Sequence, residues 1–229
     1  MKKQFLLSTL FLLSVAGLNA QKKDVDWANF ARFDSANQAV KLLPKSDREV
    51  VFMGNSITEG WINQDPSFFS ENKFINRGIS GQTTSQMLVR FRKDVIDLHP
   101  KVVIILAGTN DIAGNTGFIS LDNILGNLIS MCELAKANHI KPILCSLLPA
   151  SDYPWSPGRE PNIKIPKLNA MIKDYADKHH IHYVDYFSAM TDGNNAMRKN
   201  LAADGVVHPN LDGDKIMEKV ALPVIKKTL

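Results

Sequence analysis

Short, unbroken apolar runs alternate along the chain with longer segments whose apolar residues recur every three or four positions. The short runs are Val50–Met53, Phe74–Asn76, Val102–Ala107, Pro142–Leu148 and Ile181–Tyr186. Runs of this length, bounded by turn residues, predict strands buried on both faces. Between them, Thr84–Leu98 brings Met87, Leu88, Phe91, Val95, Ile96 and Leu98 to one side and stops before Pro100, which predicts an amphipathic helix. Leu121–Ala137, Ile163–Lys178 and Leu211–Lys227 repeat that pattern, with Pro223 bending or ending the last. Strands that alternate with helices need right-handed crossovers, so the chain predicts an α/β domain with five parallel strands and helices on both faces. Ahead of it, residues 21–47 carry Trp27, Phe30 and Phe33 at near-helical spacing. They predict an amphipathic segment, entered through Asp24 or Asp26 and packed on the domain at 48–229. No composition break marks a second domain.

Residues 1–20 change this picture. Lys2 and Lys3 precede the apolar stretch Phe5–Leu18, and Ala20 offers a small residue at the exit. A basic start, a short apolar region and a small exit residue describe a secretory signal. The stretch is short for a membrane span, although a retained anchor is the alternative. Cleavage after Ala20 predicts an exported protein, periplasmic or extracellular, with no stable span. It also removes two lysines and no acid, so 27 basic residues against 23 acidic become 25 against 23. The apparent basicity shrinks accordingly, and no basic stripe with interleaved aromatics suggests a nucleic-acid partner. Arg90, Arg92 and Lys93 read as a solvated helix face. Cys132 and Cys145 each sit in an apolar segment and read as buried thiols, a disulfide being the alternative in an exported chain.

Chemistry gathers where strands end. In parallel sheets ligands bind outside the carboxyl ends of the strands. Gly54-Asn55-Ser56 follows the first strand, Gly78-Ile79-Ser80-Gly81 the second, and Gly108-Thr109-Asn110-Asp111 the third. Near the other end of the chain, Asp204 and His208-Pro209-Asn210 offer a carboxylate and a base. A hydroxyl, an imidazole and a carboxylate are the parts of an acyl-transfer site. The Ser56 and Gly81 backbone N–H groups and the Asn110 amide are suitable donors to a developing oxyanion. Asp111 reads as a brace for its loop. His179, His180 and His182 form the densest histidine group and read as solvated or helix-terminal residues, not a metal site.

Taken together, these four blocks resemble the SGNH hydrolases of the GDSL esterase/lipase superfamily, over roughly residues 48–225. The family's four letters fall on Ser56, Gly81, Asn110 and His208. The resemblance implies a three-layer α/β/α, flavodoxin-like fold and ester hydrolysis without metal or cofactor. It implies Ser56 as nucleophile, His208 as base, Asp204 as orienting acid, and Ser56, Gly81 and Asn110 as the oxyanion hole. Two positions depart from the family pattern. Asn55 stands where aspartate is usual, and is expected to hold the turn. Asp204 and His208 are four residues apart instead of three. A tighter turn absorbs the extra residue, or a backbone carbonyl orients the imidazole instead.

The substrate is less sharply drawn. A proline-rich loop, residues 149–161, follows the fourth strand, and loops of this length inside a compact domain are usually functional. Tyr153 and Trp155 are candidates for a sugar platform and Arg159 for an acidic group, although the prolines also serve simply to stiffen a surface loop. No long apolar lid is evident. With export, this favours a small-acyl ester, acetyl foremost, on a carbohydrate. A lysophospholipase or thioesterase on the same site is one alternative, and a carbohydrate-binding relic without activity is another.

Overall fold

The computed structural model describes residues 25–229, so the expected leader at 1–20 lies outside the described residues. The first described segment runs through a 3-10 turn at Phe30–Phe33 into helix α1 (Asp34–Leu42). Asp26 accepts the Ala31 N–H at 3.0 Å. The aromatic stripe expected here does not form. Asn29 is left-handed and the 3-10 turn breaks the helical spacing, so Trp27 and Phe30 remain 50% and 40% exposed. Ala28, Asn37 and Val40 are buried in their place.

The domain then proceeds through β1 (Val50–Gly54), α2 (Ser56–Gln64), α3 (Pro66–Glu71), β2 (Phe74–Gly78), α4 (Thr84–Asp94) and β3 (Val102–Leu106). It continues with α5 (Thr109–Ala113), α6 (Leu121–Ala137), β4 (Lys141–Cys145), α7 (Pro161–Lys178), β5 (His182–Val184), α8 (Tyr186–Met190) and α9 (Leu211–Thr228). All strand pairings are parallel, in the order β2-β1-β3-β4-β5. The order reverses between β1 and β3, and at such a switch point the following loops diverge and leave a crevice. Gly54 is level with Gly78 on one side and Leu106 on the other, so three strands finish at one height.

The sheet is covered on both faces, which is why its strands are apolar throughout. Val51, Met53, Val103, Ile105 and Leu144 pack against α4, α6 and α7 through Phe91, Leu128 and Leu168. Val50, Phe52, Ile104 and Ile143 point the other way, toward Trp61 and Phe68 of the α2–α3 pair and Met217 and Ile225 of α9. Phe52 has four aromatic neighbours, with ring centroids 5.3 to 6.1 Å away. Cys132 and Cys145 belong to these opposite layers and are both free and buried. Among the described residues no helix is long and apolar enough to cross a membrane.

Of the bend or end expected at Pro223, the end does not occur, and α9 runs on to Thr228. The carbonyl that the proline leaves without a donor belongs to Lys219, on the exposed side of the helix where water can serve. Arg90 is not on a solvated face but fully buried. It pairs with Asp94 at 3.0 Å and donates to Gln82 Oε1 at 2.5 Å and to the Gly54 and Arg77 carbonyls at 3.2 and 2.9 Å. Burial lowers its pKa and Asp94 opposes that fall. The guanidinium thereby ties together the carboxyl ends of β1 and β2.

Candidate active site

The sharp exit from β1 is enforced by close packing. A side-chain Cβ on Gly54 would lie 1.9 Å from Thr58 Oγ1, and one on Gly78 would lie 2.3 Å from the Glu59 nitrogen. Glycine at both positions lets the first turn of α2 press against the ends of β1 and β2. Asn55 caps that helix, its Oδ1 accepting the Ile57 N–H at 3.0 Å, which is a structural use for the amide found in place of aspartate. Ser56, the first helical residue, is thereby raised to the rim of the sheet.

Ser56 Oγ lies 2.9 Å from His208 Nε2, across 152 residues of sequence. His208 Nδ1 lies 2.6 Å from Asp204 Oδ2. The four-residue spacing is accommodated by a turn wrapped around the carboxylate. Asp204 Oδ1 accepts the N–H groups of Val206, Val207 and His208 at 2.9, 2.7 and 3.1 Å. Gly205 takes a positive φ of 77°, and the Ala203 N–H closes the loop on the His208 carbonyl at 2.7 Å. Desolvation raises the Asp204 pKa, but the Val207 and Val206 amides and the imidazole outweigh it and hold it at about 2. With an ionised acceptor at Nδ1, the neutral ring carries its proton there, leaving Nε2 free to accept from the Ser56 hydroxyl.

Ser56 and His208 open into a cavity of about 350 Å³, lined also by Ser80, Gly81, Asn110, Asn115 and Trp155. Gly81 has a positive φ of 77°, which glycine adopts without strain. Asn110 Nδ2 donates one hydrogen to the Gln82 carbonyl at 3.0 Å and keeps a second for the cavity. Asp111 points away from it. It accepts the Thr84 N–H at 2.9 Å and the Thr84 hydroxyl at 2.5 Å, locking the Asn110 loop to the start of α4. Burial raises the Asp111 pKa, and those Thr84 bonds offset part of the rise.

The profile of the GDSL-like Lipase/Acylhydrolase family matches residues 52–216. The chain belongs to this family. It is 49% identical to a candidate acylhydrolase from Bacteroides fragilis NCTC 9343, over 90% of this chain and 99% of that one, with a TM-score of 0.84. A GDSL-like lipase from Bacteroides thetaiotaomicron is 47% identical over 88% of this chain and 99% of its own, also at 0.84. An acetylxylan esterase from Geobacillus stearothermophilus superposes with a TM-score of 0.62 over 78% of this chain and 93% of its own. At 20% identity that likeness is one of fold. An uncharacterised lipoprotein of Bacillus subtilis is 34% identical over 118 residues, 44% of this chain. The chain spans about half the length of that curated relative, 49%.

Around this GDSL-family site, the proline-rich loop behaves differently from expectation. Tyr153 is wholly buried and stacks beneath Trp155, with ring centroids 5.1 Å apart. It carries the platform and does not present one. Trp155 is 44% exposed and lies 6.0 Å from the His208 ring. Arg159 does not reach the cavity. Its guanidinium lies against Gly114 and its Nε donates to Ser156 Oγ at 3.0 Å, so it stitches the loop to the end of α5. A guanidinium so placed covers backbone, which sequence alone does not reveal. His179 and His180 are exposed at the end of α7 and His182 begins β5, on the opposite edge of the sheet. Among the described residues no cluster of His, Cys, Asp and Glu is arranged to hold a metal ion.

Two elements of the site were not anticipated. Asn115 and Ser80 line the cavity, the first outside any of the four blocks. The segment before α1 also grips the Gly81 loop. Gln82 Nε2 donates to the Ala28 carbonyl at 2.7 Å and Gln86 Nε2 to the Trp27 carbonyl at 2.6 Å. Arg32 pairs with Glu59 at 2.8 Å, and Glu59 in turn accepts the Ser80 N–H at 2.8 Å.

Proposed function

We propose that the chain is an exported serine esterase that removes small acyl groups, acetyl foremost, from carbohydrate esters through an acyl-enzyme on Ser56. The observation that carries this reading is the continuous relay Ser56–His208–Asp204, with contacts of 2.9 and 2.6 Å, opening onto the cavity that Gly81 and Asn110 also line.

In this reading His208 Nε2 takes the Ser56 proton as Oγ attacks the ester carbonyl. Asp204 fixes the tautomer and stabilises the imidazolium. The Ser56 and Gly81 N–H groups and the free hydrogen of Asn110 Nδ2 hold the tetrahedral oxyanion. Collapse breaks the bond to the alcohol oxygen, which leaves with the proton from Nε2. Water then attacks the acyl-serine, gives a proton to His208, and releases the carboxylic acid as Ser56 recovers its hydrogen.

The lining of the cavity supports the small-acyl preference. Its side chains are serine, asparagine, tryptophan and histidine, with no aliphatic residue for a long acyl chain to lie on. Trp155 supplies an apolar face beside His208 suited to one side of a sugar ring. The fold shared with an acetylxylan esterase and the lipoprotein relative are consistent with acetylated glycans and with export.

Ser56→Ala should lower turnover by about three orders of magnitude or more on nitrophenyl acetate. A fluorophosphonate probe should label the wild type at Ser56. Unchanged hydrolysis by Ser56→Ala rules out this nucleophile, and a Ser56 that never reacts with the probe favours a binding protein. Activity confined to long-chain esters or thioesters would move the assignment to a lysophospholipase or thioesterase.

A further inference from the structure

Asn115 follows Gly114, the left-handed residue that terminates α5. Its side chain is exposed, yet both polar atoms are committed within the protein. Nδ2 donates to the Gly81 carbonyl at 3.0 Å, and Oδ1 accepts the Trp155 indole N–H at 3.1 Å. Its backbone N–H donates to the Asn110 carbonyl at 3.0 Å. The amide orientation is fixed by its partners, because an indole N–H only donates and a carbonyl only accepts. One residue thus touches the loop that carries Gly81, the loop that carries Asn110, and the aromatic wall beside His208.

We propose that Asn115 is a positioning residue that couples the Trp155 wall to the oxyanion donors, so that an alcohol group resting on the indole steadies Gly81 as it binds. The inference rests on the esterase reading above. The indole N–H anchors the exposed ring at one edge, and Tyr153 supports it from below. Through Asn115, movement of the ring bears on the Gly81–Gln82 peptide, next to the N–H that faces the reacting carbonyl. Binding energy gained on the leaving group is in this way spent at the transition state.

Single substitutions separate the two arms. Asn115→Asp keeps an acceptor for Trp155 but sets a carboxylate oxygen against the Gly81 carbonyl. It should lower kcat about tenfold on nitrophenyl acetate, an ester without a sugar, while KM stays close to wild type. Trp155→Phe keeps a ring but removes the N–H, and should lower kcat about threefold or more for glucose pentaacetate while leaving nitrophenyl acetate close to wild type. Asn115→Ala severs both contacts and should show both effects. Adding Trp155→Phe to Asn115→Ala should then cost less than the two single effects combined, as coupled residues do. A merely structural role would lower Tm without dividing kcat from KM in this way.

Wild-type kcat and KM in both Asn115 variants, beside an inactive Ser56→Ala, would overturn the assignment of Asn115 and leave the esterase reading intact. Additive effects of Asn115→Ala and Trp155→Phe would overturn the coupling. An active Ser56→Ala would remove the reading on which the proposal stands.

Discussion

Replacing Asp214 by asparagine should stabilise the protein at mildly alkaline pH and change little at about pH 3.5. Asp214 is in the first turns of α9, only 1% exposed, and neither of its carboxylate oxygens has a hydrogen-bond partner. Burial raises its pKa, the Glu218 and Asp65 charges add to the rise, and Lys215 opposes it, leaving the group at about 7. An unfolded aspartate titrates near 3.9, a gap of roughly 3 units. Between those two values the folded chain holds a proton that the unfolded chain has released. Stability therefore falls as pH rises through that window, and the full penalty applies above the folded value. At about 1.4 kcal/mol per unit the ceiling is about 4 kcal/mol, and relaxation around the charge brings the expected range to about 2–4 kcal/mol. Asparagine cannot ionise. Its amide meets the same lack of partners as the protonated acid, so the two proteins should nearly coincide only below the unfolded value, at about pH 3.5. In a chain of this size each kcal/mol moves Tm by about 2–4 °C, so the variant should melt about 5–10 °C higher at about pH 8. Thermal or urea unfolding of both proteins at the two pH values measures this. A difference independent of pH, or a variant less stable in alkali, would refute the reasoning.

Gly78→Ala should cost about 3 kcal/mol, because the added Cβ would meet the Glu59 nitrogen and the Asn55 oxygen, both backbone, at 2.3 and 2.8 Å. The control is Gly126→Ala within α6, where nothing lies within 4 Å and a gain of about 1 kcal/mol is expected; equal melting temperatures for the two variants would contradict the packing argument. Asn110→Ala should reduce kcat on nitrophenyl acetate by about 100- to 1000-fold with a modest change in KM, and a loss below tenfold would exclude the amide as an oxyanion donor.

Much of the architecture is legible because it depends on contiguous residues. Val102–Leu106 is apolar at every position because both faces of β3 are covered, and the turn residues that follow β1, β2 and β3 mark where loops gather. The five-residue helices α5 and α8 are too short to display a period. What escapes is what depends on residues far apart in sequence. Arg90 is buried because the carbonyls of Gly54 and Arg77 converge on it, and no local pattern announces that. The turn at Asp204 is legible only as a choice between two geometries until three amides are seen to converge on one oxygen. Tyr153 and Arg159 carry the right chemistry for recognition, but their surroundings commit them to support. Asn115 left no signal, since its use is defined by partners 34 and 40 residues away.

The grip of residues 27–32 on the Gly81 loop has a mechanical consequence. This segment lies ahead of the family-matched region, 52–216, yet its carbonyls and Arg32 hold Gln82, Gln86 and Glu59. Tension applied at the amino end of the described chain is borne by that loop before the sheet feels it. The last helix ends on the far edge, where Lys141 and His182 hold Thr228. Protein immobilised on beads through its front end should therefore turn over more slowly than protein fixed through its tail, at equal loading.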